Sequence, residues 1–68
     1  MKITDIHPNM RVTWTAVDAE YTVVERETDP SKKPFVMIQA VDKDTQPQLA
    51  CVPAWDLELP GKQHNPSR

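Results

Sequence analysis

A single cysteine, Cys51, excludes an internal disulfide and any zinc site built on cysteine pairs, and that usage fits a reducing cytoplasm. A single glycine, Gly61, argues against glycine-rich linkers and low complexity. No run approaches the roughly 18 apolar residues a membrane span requires. The opening Met1-Lys2-Ile3-Thr4-Asp5 lacks the apolar stretch of a secretion signal, so the expectation is a cytoplasmic protein without membrane contact. Positive charge is also scarce. Residues 1 to 59 carry six Lys/Arg against ten Asp/Glu, a net of −4, and Lys62 and Arg68 bring the chain to −2. Phosphate backbones are held by cationic neutralisation, so a mildly acidic body disfavours nucleic acid as a partner.

What is present is enough for one small domain. A chain of 68 residues buries only about 60% of the surface its unfolded form exposes, so stability is modest. Two tryptophans, one tyrosine, one phenylalanine and the aliphatic residues fill one core and no second one. Without a staple, such a core gains from self-association or from a partner.

The apolar pattern predicts strands. Ile3 and Ile6 precede a His7-Pro8-Asn9 turn. Arg11-Val12-Thr13-Trp14-Thr15-Ala16 then alternates, with Val12, Trp14 and Ala16 on one face. Tyr21 to Thr28 is rich in β-branched residues, and the pair Val23-Val24 breaks period two, which predicts a bulge or bend within one long strand. Asp29 to Pro34 is a polar loop with two prolines. Phe35 to Val41 and Gln48 to Val52 form a second hairpin around the turn Asp42 to Pro47. Neither of its strands alternates: Phe35, Met37 and Val41 share one side, Val36, Ile38 and Ala40 the other, and Leu49 to Val52 is apolar throughout. Both faces are therefore expected to avoid water, where a half-exposed antiparallel strand carries polar residues at every second place. The last run, Leu49 to Leu59, reads as a strand, one helical turn begun by Pro53, and a short closing strand. Residues 60 to 68 read as a disordered tail after a domain spanning 1 to 59.

Little in the chain points to chemistry. Asp42-x-Asp44 begins an oxygen-ligand pattern, but no glycine stands at the sixth position and Pro53 replaces the closing glutamate, so a calcium loop is excluded. His7 and His64 lack metal-spaced companions, and neither a metal nor a cofactor is expected. Ser31, Ser67 and Cys51 lie in a loop, a tail and an apolar run, with Cys51 expected to be inert packing, so the expectation is a protein that is not an enzyme. The aromatics are the binding candidates. Trp55 falls on the single turn and Trp14 in the alternating strand, while Tyr21 and Phe35 open strands that approach one rim.

The run Val52-Pro53-Ala54-Trp55-Asp56-Leu57-Glu58-Leu59 resembles the end of an SH3 domain, where a proline starts a 3₁₀ turn and an aliphatic-glutamate-aliphatic strand completes the barrel. Met10-Arg11-Val12 and Tyr21-Thr22-Val23-Val24 are similar to the first two strands of bacterial SH3-like barrels. The resemblance implies an all-β, five-stranded SH3-like barrel with one 3₁₀ turn before its last strand. The alanine-leucine-tyrosine motif of eukaryotic SH3 grooves is absent, and Asp56 stands where those grooves carry a tyrosine. Size and strand order also resemble the small plasmid-borne dihydrofolate reductase, without its pore-lining motif.

The leading expectation is a small binding module, of the kind phages and mobile elements carry as accessory proteins, that holds a protein partner or a second copy through Trp55, Met37, Phe35, Tyr21 and Trp14. A resemblance to KOW and Tudor barrels implies the alternative of nucleic-acid association through Arg11, Arg26, Lys32 and Lys33. An oligomeric enzyme with its site on a symmetry axis is the third.

Overall fold

The computed structural model describes residues 1 to 60, so the tail expected over 60 to 68, with His64, lies beyond the described residues except for Pro60. Five antiparallel strands form one sheet: β1 (Arg11–Trp14), β2 (Ala19–Arg26), β3 (Phe35–Ala40), β4 (Leu49–Pro53) and β5 (Leu57–Glu58), in the order β4-β3-β2-β1-β5. The all-β reading holds, and so does the single 3₁₀ turn before the last strand, at Ala54–Asp56. Pro53 starts that turn because its fixed φ and missing N–H suit a position where the β ladder ends. The sheet is not closed. No backbone ladder joins β4 to β5, so these two strands are its edges. Among the described residues no helix is long and apolar enough to cross a membrane.

A second 3₁₀ turn, Ile3–Asp5, precedes the His7-Pro8-Asn9 segment. It delivers Ile6 fully buried into the core. The amino group of Met1 donates to the Leu57 carbonyl at 3.1 Å, so the N-terminal segment lies along the outer side of β5. The Leu57 N–H turns back to the Ala54 carbonyl. Both backbone groups of Leu57 are thereby satisfied, and this edge offers little to another strand.

Two irregularities bend the sheet. The bulge expected at Val23-Val24 is present: β2 pairs with β3 through Val23 opposite Ile38, then skips to Glu25 opposite Met37. Val24 is the extra residue and is exposed. On the other side of β2 the Val23 carbonyl accepts from Asn9 at 2.8 Å, while the Val23 N–H donates to Met10 at 2.8 Å. Two residues thus oppose one, with Asn9 in the left-handed region at φ 72°. Asn tolerates that region better than any residue but glycine. Asp18 (φ 54°) does the same work in the tight turn between β1 and β2.

The core is Ile6, Val12, Tyr21, Val23, Val36, Ile38, Val52, Ala54 and Leu57, all on one side of the sheet. Tyr21 is its largest member. Its hydroxyl donates to the Pro47 carbonyl at 2.7 Å, which satisfies the one polar atom of a ring otherwise removed from water. Burial raises the Tyr21 phenol above its ordinary value. Trp14 packs edge-on against Tyr21, with ring centroids 5.6 Å apart and planes at 76°. The Trp14 Nε1 is buried and has no hydrogen-bond partner among the described residues.

Candidate functional site

The hairpin β3–β4 departs from the expectation that both of its faces are shut from water. Val36 and Ile38 are fully buried and Val52 nearly so, whereas Phe35 (41%), Met37 (37%) and Leu49 (60%) are exposed, and Cys51 with them. Within one copy, the inner face is packed and the outer face is bare. The period-two pattern is masked because this outer face carries one polar side chain, Gln39 opposite Leu49, and is otherwise built of the apolar Phe35, Met37, Leu49 and Cys51. Cys51, expected as inert packing, is corrected to this outer face, opposite Met37.

Strand registers organise that face into two rows. Glu25 on β2 stands opposite Met37 on β3, which stands opposite Cys51 on β4. One step along, the Glu27 N–H donates to the Phe35 carbonyl at 2.9 Å, and Phe35 pairs with Pro53. Each row runs from a carboxylate to apolar side chains. Glu25, Met37, Cys51, Glu27 and Phe35 of these rows, with Arg26 and Thr28, line a shallow groove of about 340 Å³. Arg26 lies opposite the buried Val36 and donates through its guanidinium to the Glu27 carbonyl at 3.1 Å. The acidic side of the groove is therefore formed by Glu25 and Glu27.

Trp55 follows Pro53, the last member of the second row, by two residues. It is 66% exposed, the most open of the large apolar side chains among the described residues. Its turn is fixed on both sides. The Ala54 N–H donates to the Pro34 carbonyl at 2.9 Å, at the end of the β2–β3 loop. The Asp56 carbonyl accepts the N–H and the hydroxyl of Thr15, each at 3.1 Å, from the β1–β2 turn. Rigid backbone under an exposed indole costs little conformational entropy when a ligand covers it.

The remaining candidates separate. Tyr21, expected at the rim, is corrected to the core: an aromatic ring with no exposed surface and a satisfied hydroxyl presents nothing to a partner. Trp14 is half-buried against it. Of the four cations, Arg11 is exposed and pairs with Glu20 at 3.6 Å. Arg26 and Lys32 border a second cleft of about 290 Å³ with Ile3, Pro30 and Pro34, where Glu27 and Asp29 accompany them. Lys33 is exposed but does not line that cleft. Arg11 thus stands apart, and carboxylates are interleaved with the rest.

The polar loops hold themselves. Asp29 accepts the Ser31 N–H at 2.9 Å and its hydroxyl at 2.8 Å, which keeps the Asp29 carboxyl below the usual range. Asp42 accepts the Asp44 N–H at 2.9 Å, and the Gln48 amide reaches the carbonyls of Asp42, Lys43 and Thr45 at 3.0, 3.1 and 2.6 Å. Asp42 is an internal turn cap, and among the described residues no cluster of three or more His, Cys, Asp or Glu is placed to hold a metal ion. Compared with protein families, curated proteins and solved structures, the chain finds no match in any of the three.

Proposed function

We propose that this chain is a non-enzymatic protein-binding module of the SH3-like barrel class, and that its partner is an extended segment combining apolar anchors with Lys or Arg. The strand order β4-β3-β2-β1-β5, the bulged second strand and the proline-started 3₁₀ turn support the barrel class, with the open flank between β4 and β5 spanned by that turn. The observation that carries the reading is Trp55, held from both sides by backbone hydrogen bonds yet 66% exposed, two residues past Pro53, which pairs with Phe35 of the bare Phe35–Met37–Cys51 strip. Covering the exposed two-thirds of an indole removes on the order of 130 Å² from water and contributes roughly 3 kcal/mol, the size of an interface hot spot. Glu25 and Glu27 at the ends of the two rows, within a net-acidic body, select a cationic ligand over an acidic one.

The test begins from peptides selected against the immobilised protein out of a random-sequence library. Enriched peptides are expected to pair Lys or Arg with apolar residues, and to bind Trp55→Ala and Met37→Lys at least about tenfold more weakly. Peptides without basic residues, or with undiminished affinity for both folded variants, overturn the reading. Nucleic acid is the weaker alternative, because its candidate cations do not form a continuous track: Arg11 is engaged by Glu20, and Arg26 and Lys32 share their cleft with two carboxylates.

A further inference from the structure

The outer edge of β4 carries a hydrogen-bonding pattern that is complementary to itself. The Ala40 N–H donates to the Gln48 carbonyl at 2.7 Å and the Ala54 N–H to the Pro34 carbonyl at 2.9 Å, so the positions of β4 bonded to β3 are the even ones. In an antiparallel ladder the intervening residues turn their backbone groups the other way. Leu49, Cys51 and Pro53 therefore present theirs to the open edge. Pro53 has no N–H to offer, and that is the position where an edge strand tolerates proline. Pro47, two residues before Leu49, also lacks an N–H, and its carbonyl is occupied by the Tyr21 hydroxyl. The usable edge is thus limited to Leu49 and Cys51, with a proline at each end.

We infer that this edge pairs antiparallel with the same edge of a second copy, Leu49 of each opposite Cys51 of the other and Ala50 on the two-fold axis. In that register each Leu49 and Cys51 exchanges both of its backbone bonds, four bonds in all. Pro47 falls opposite Pro53 of the other copy, so neither proline leaves a donor stranded. A shift of two residues would set Leu49 against Pro53 and lose that match.

Charge fits the same occupant. Neither β3 (Phe35–Ala40) nor β4 (Leu49–Pro53) contains a charged residue, whereas a solitary edge is ordinarily guarded by charge or proline, and here proline stands only at the two ends, outside the Leu49–Cys51 stretch. An isologous contact sets like against like, and a net-acidic chain can meet itself only where its carboxylates are absent. Glu25 lies on β2, two strands away from the joint, and Glu27 immediately follows that strand. On the outer face Leu49, 60% exposed, gains the exposed Cys51 of the second copy as its cross-strand neighbour. The opposite edge, β5, has its Leu57 groups occupied and does not compete. Such a joint is smaller than the ~800 Å² per partner of a standard stable interface, so it forms at high concentration and dissolves on dilution.

Amide hydrogen exchange on the full chain without peptide tests this separately from the peptide reading, which concerns the outer face and Trp55. Between about 20 µM and about 1 mM protein, the Leu49 and Cys51 amides are expected to gain at least about tenfold protection while Ala50 and Val52, already bonded to β3, change little. Sedimentation over the same range should show monomer passing to dimer. Leu49→Pro removes a donor from the joint and none from the β3–β4 ladder, and should hold the protein monomeric. If that variant fails to fold, Cys51→Lys places a charge at the joint on a side chain already exposed, with the same expected result. A monomer throughout, or a dimer in which the Leu49 and Cys51 amides exchange as fast as in dilute solution, overturns the inference.

Discussion

Replacing Tyr21 by Phe removes one oxygen from the centre of the core and leaves the edge-on contact with Trp14 in place. What is lost is the 2.7 Å hydrogen bond to the Pro47 carbonyl, which ties β2 to the connection leading into β4. Because Pro47 is itself exposed, water can reach its carbonyl once the hydroxyl is gone. The cost is therefore at the lower end of the range for a broken buried bond, about 1–1.5 kcal/mol. For a domain of this size that corresponds to a fall in melting temperature of roughly 5–10 °C. The pH dependence sharpens the test. Burial raises the phenol of folded Tyr21 above the value of about 10 that it has in the unfolded chain. The folded state then holds its proton more tightly, so the stability tied to the neutral phenol is complete below pH ~10 and is lost as pH rises through the folded-state value. The Tyr21→Phe variant has no phenol proton to lose. Thermal melts followed by circular dichroism should show wild type above Tyr21→Phe at neutral pH, with the gap narrowing above pH ~10. Equal melting temperatures at neutral pH, or a gap that does not close in alkali, would refute the placement of this hydroxyl.

Other residues give narrower tests. Trp14→Phe loses ring volume but also an unpaired buried N–H, so it should destabilise by about 1 kcal/mol in urea titration, well short of the ~3–5 kcal/mol of a full tryptophan truncation. Met37→Lys sets a cation directly opposite Glu25 on an exposed face and should leave stability unchanged or raise it by about 0.2–1 kcal/mol, whereas Met37→Glu should lower it by a similar amount. Asn9→Ala forces a Cβ-bearing residue lacking Asn's local bonding into φ 72° and should cost about 1 kcal/mol, with Asn9→Gly near neutral in the same denaturation assay.

Much of the fold was legible because local signals agree with it. The β-branched runs mark the strands, Val23-Val24 marks the bulge, and Pro53 marks the 3₁₀ turn. What was not legible depends on contacts distant in sequence. The 3₁₀ turn at Ile3 has no local sequence signal: its own bonds are Asp5 to Lys2 and Ile6 to Ile3, and the segment is anchored by Met1 reaching Leu57, 56 residues away. Closure of the sheet cannot be inferred from strand count, because it requires β4 and β5 to share a ladder that their backbones do not form. In the site, Trp55, Phe35 and Met37 were named from residue type and position. Glu25 and Glu27 carry no local signal of a site, because the bulge that sets them beside Met37 and Phe35 decides which neighbours they meet. Tyr21 was misplaced for a related reason: an aromatic at a strand start looks alike whether its hydroxyl meets water or a carbonyl 26 residues away.

The most direct test of the binding account is an amide and indole shift map of the native protein with a library-selected basic, apolar peptide. The account predicts changes concentrated at the Trp55 indole and at Phe35, Met37, Cys51, Glu25 and Glu27, and little at Arg11 or Lys33. Changes centred instead on Arg11, Arg26, Lys32 and Lys33, with a silent Trp55, would contradict it.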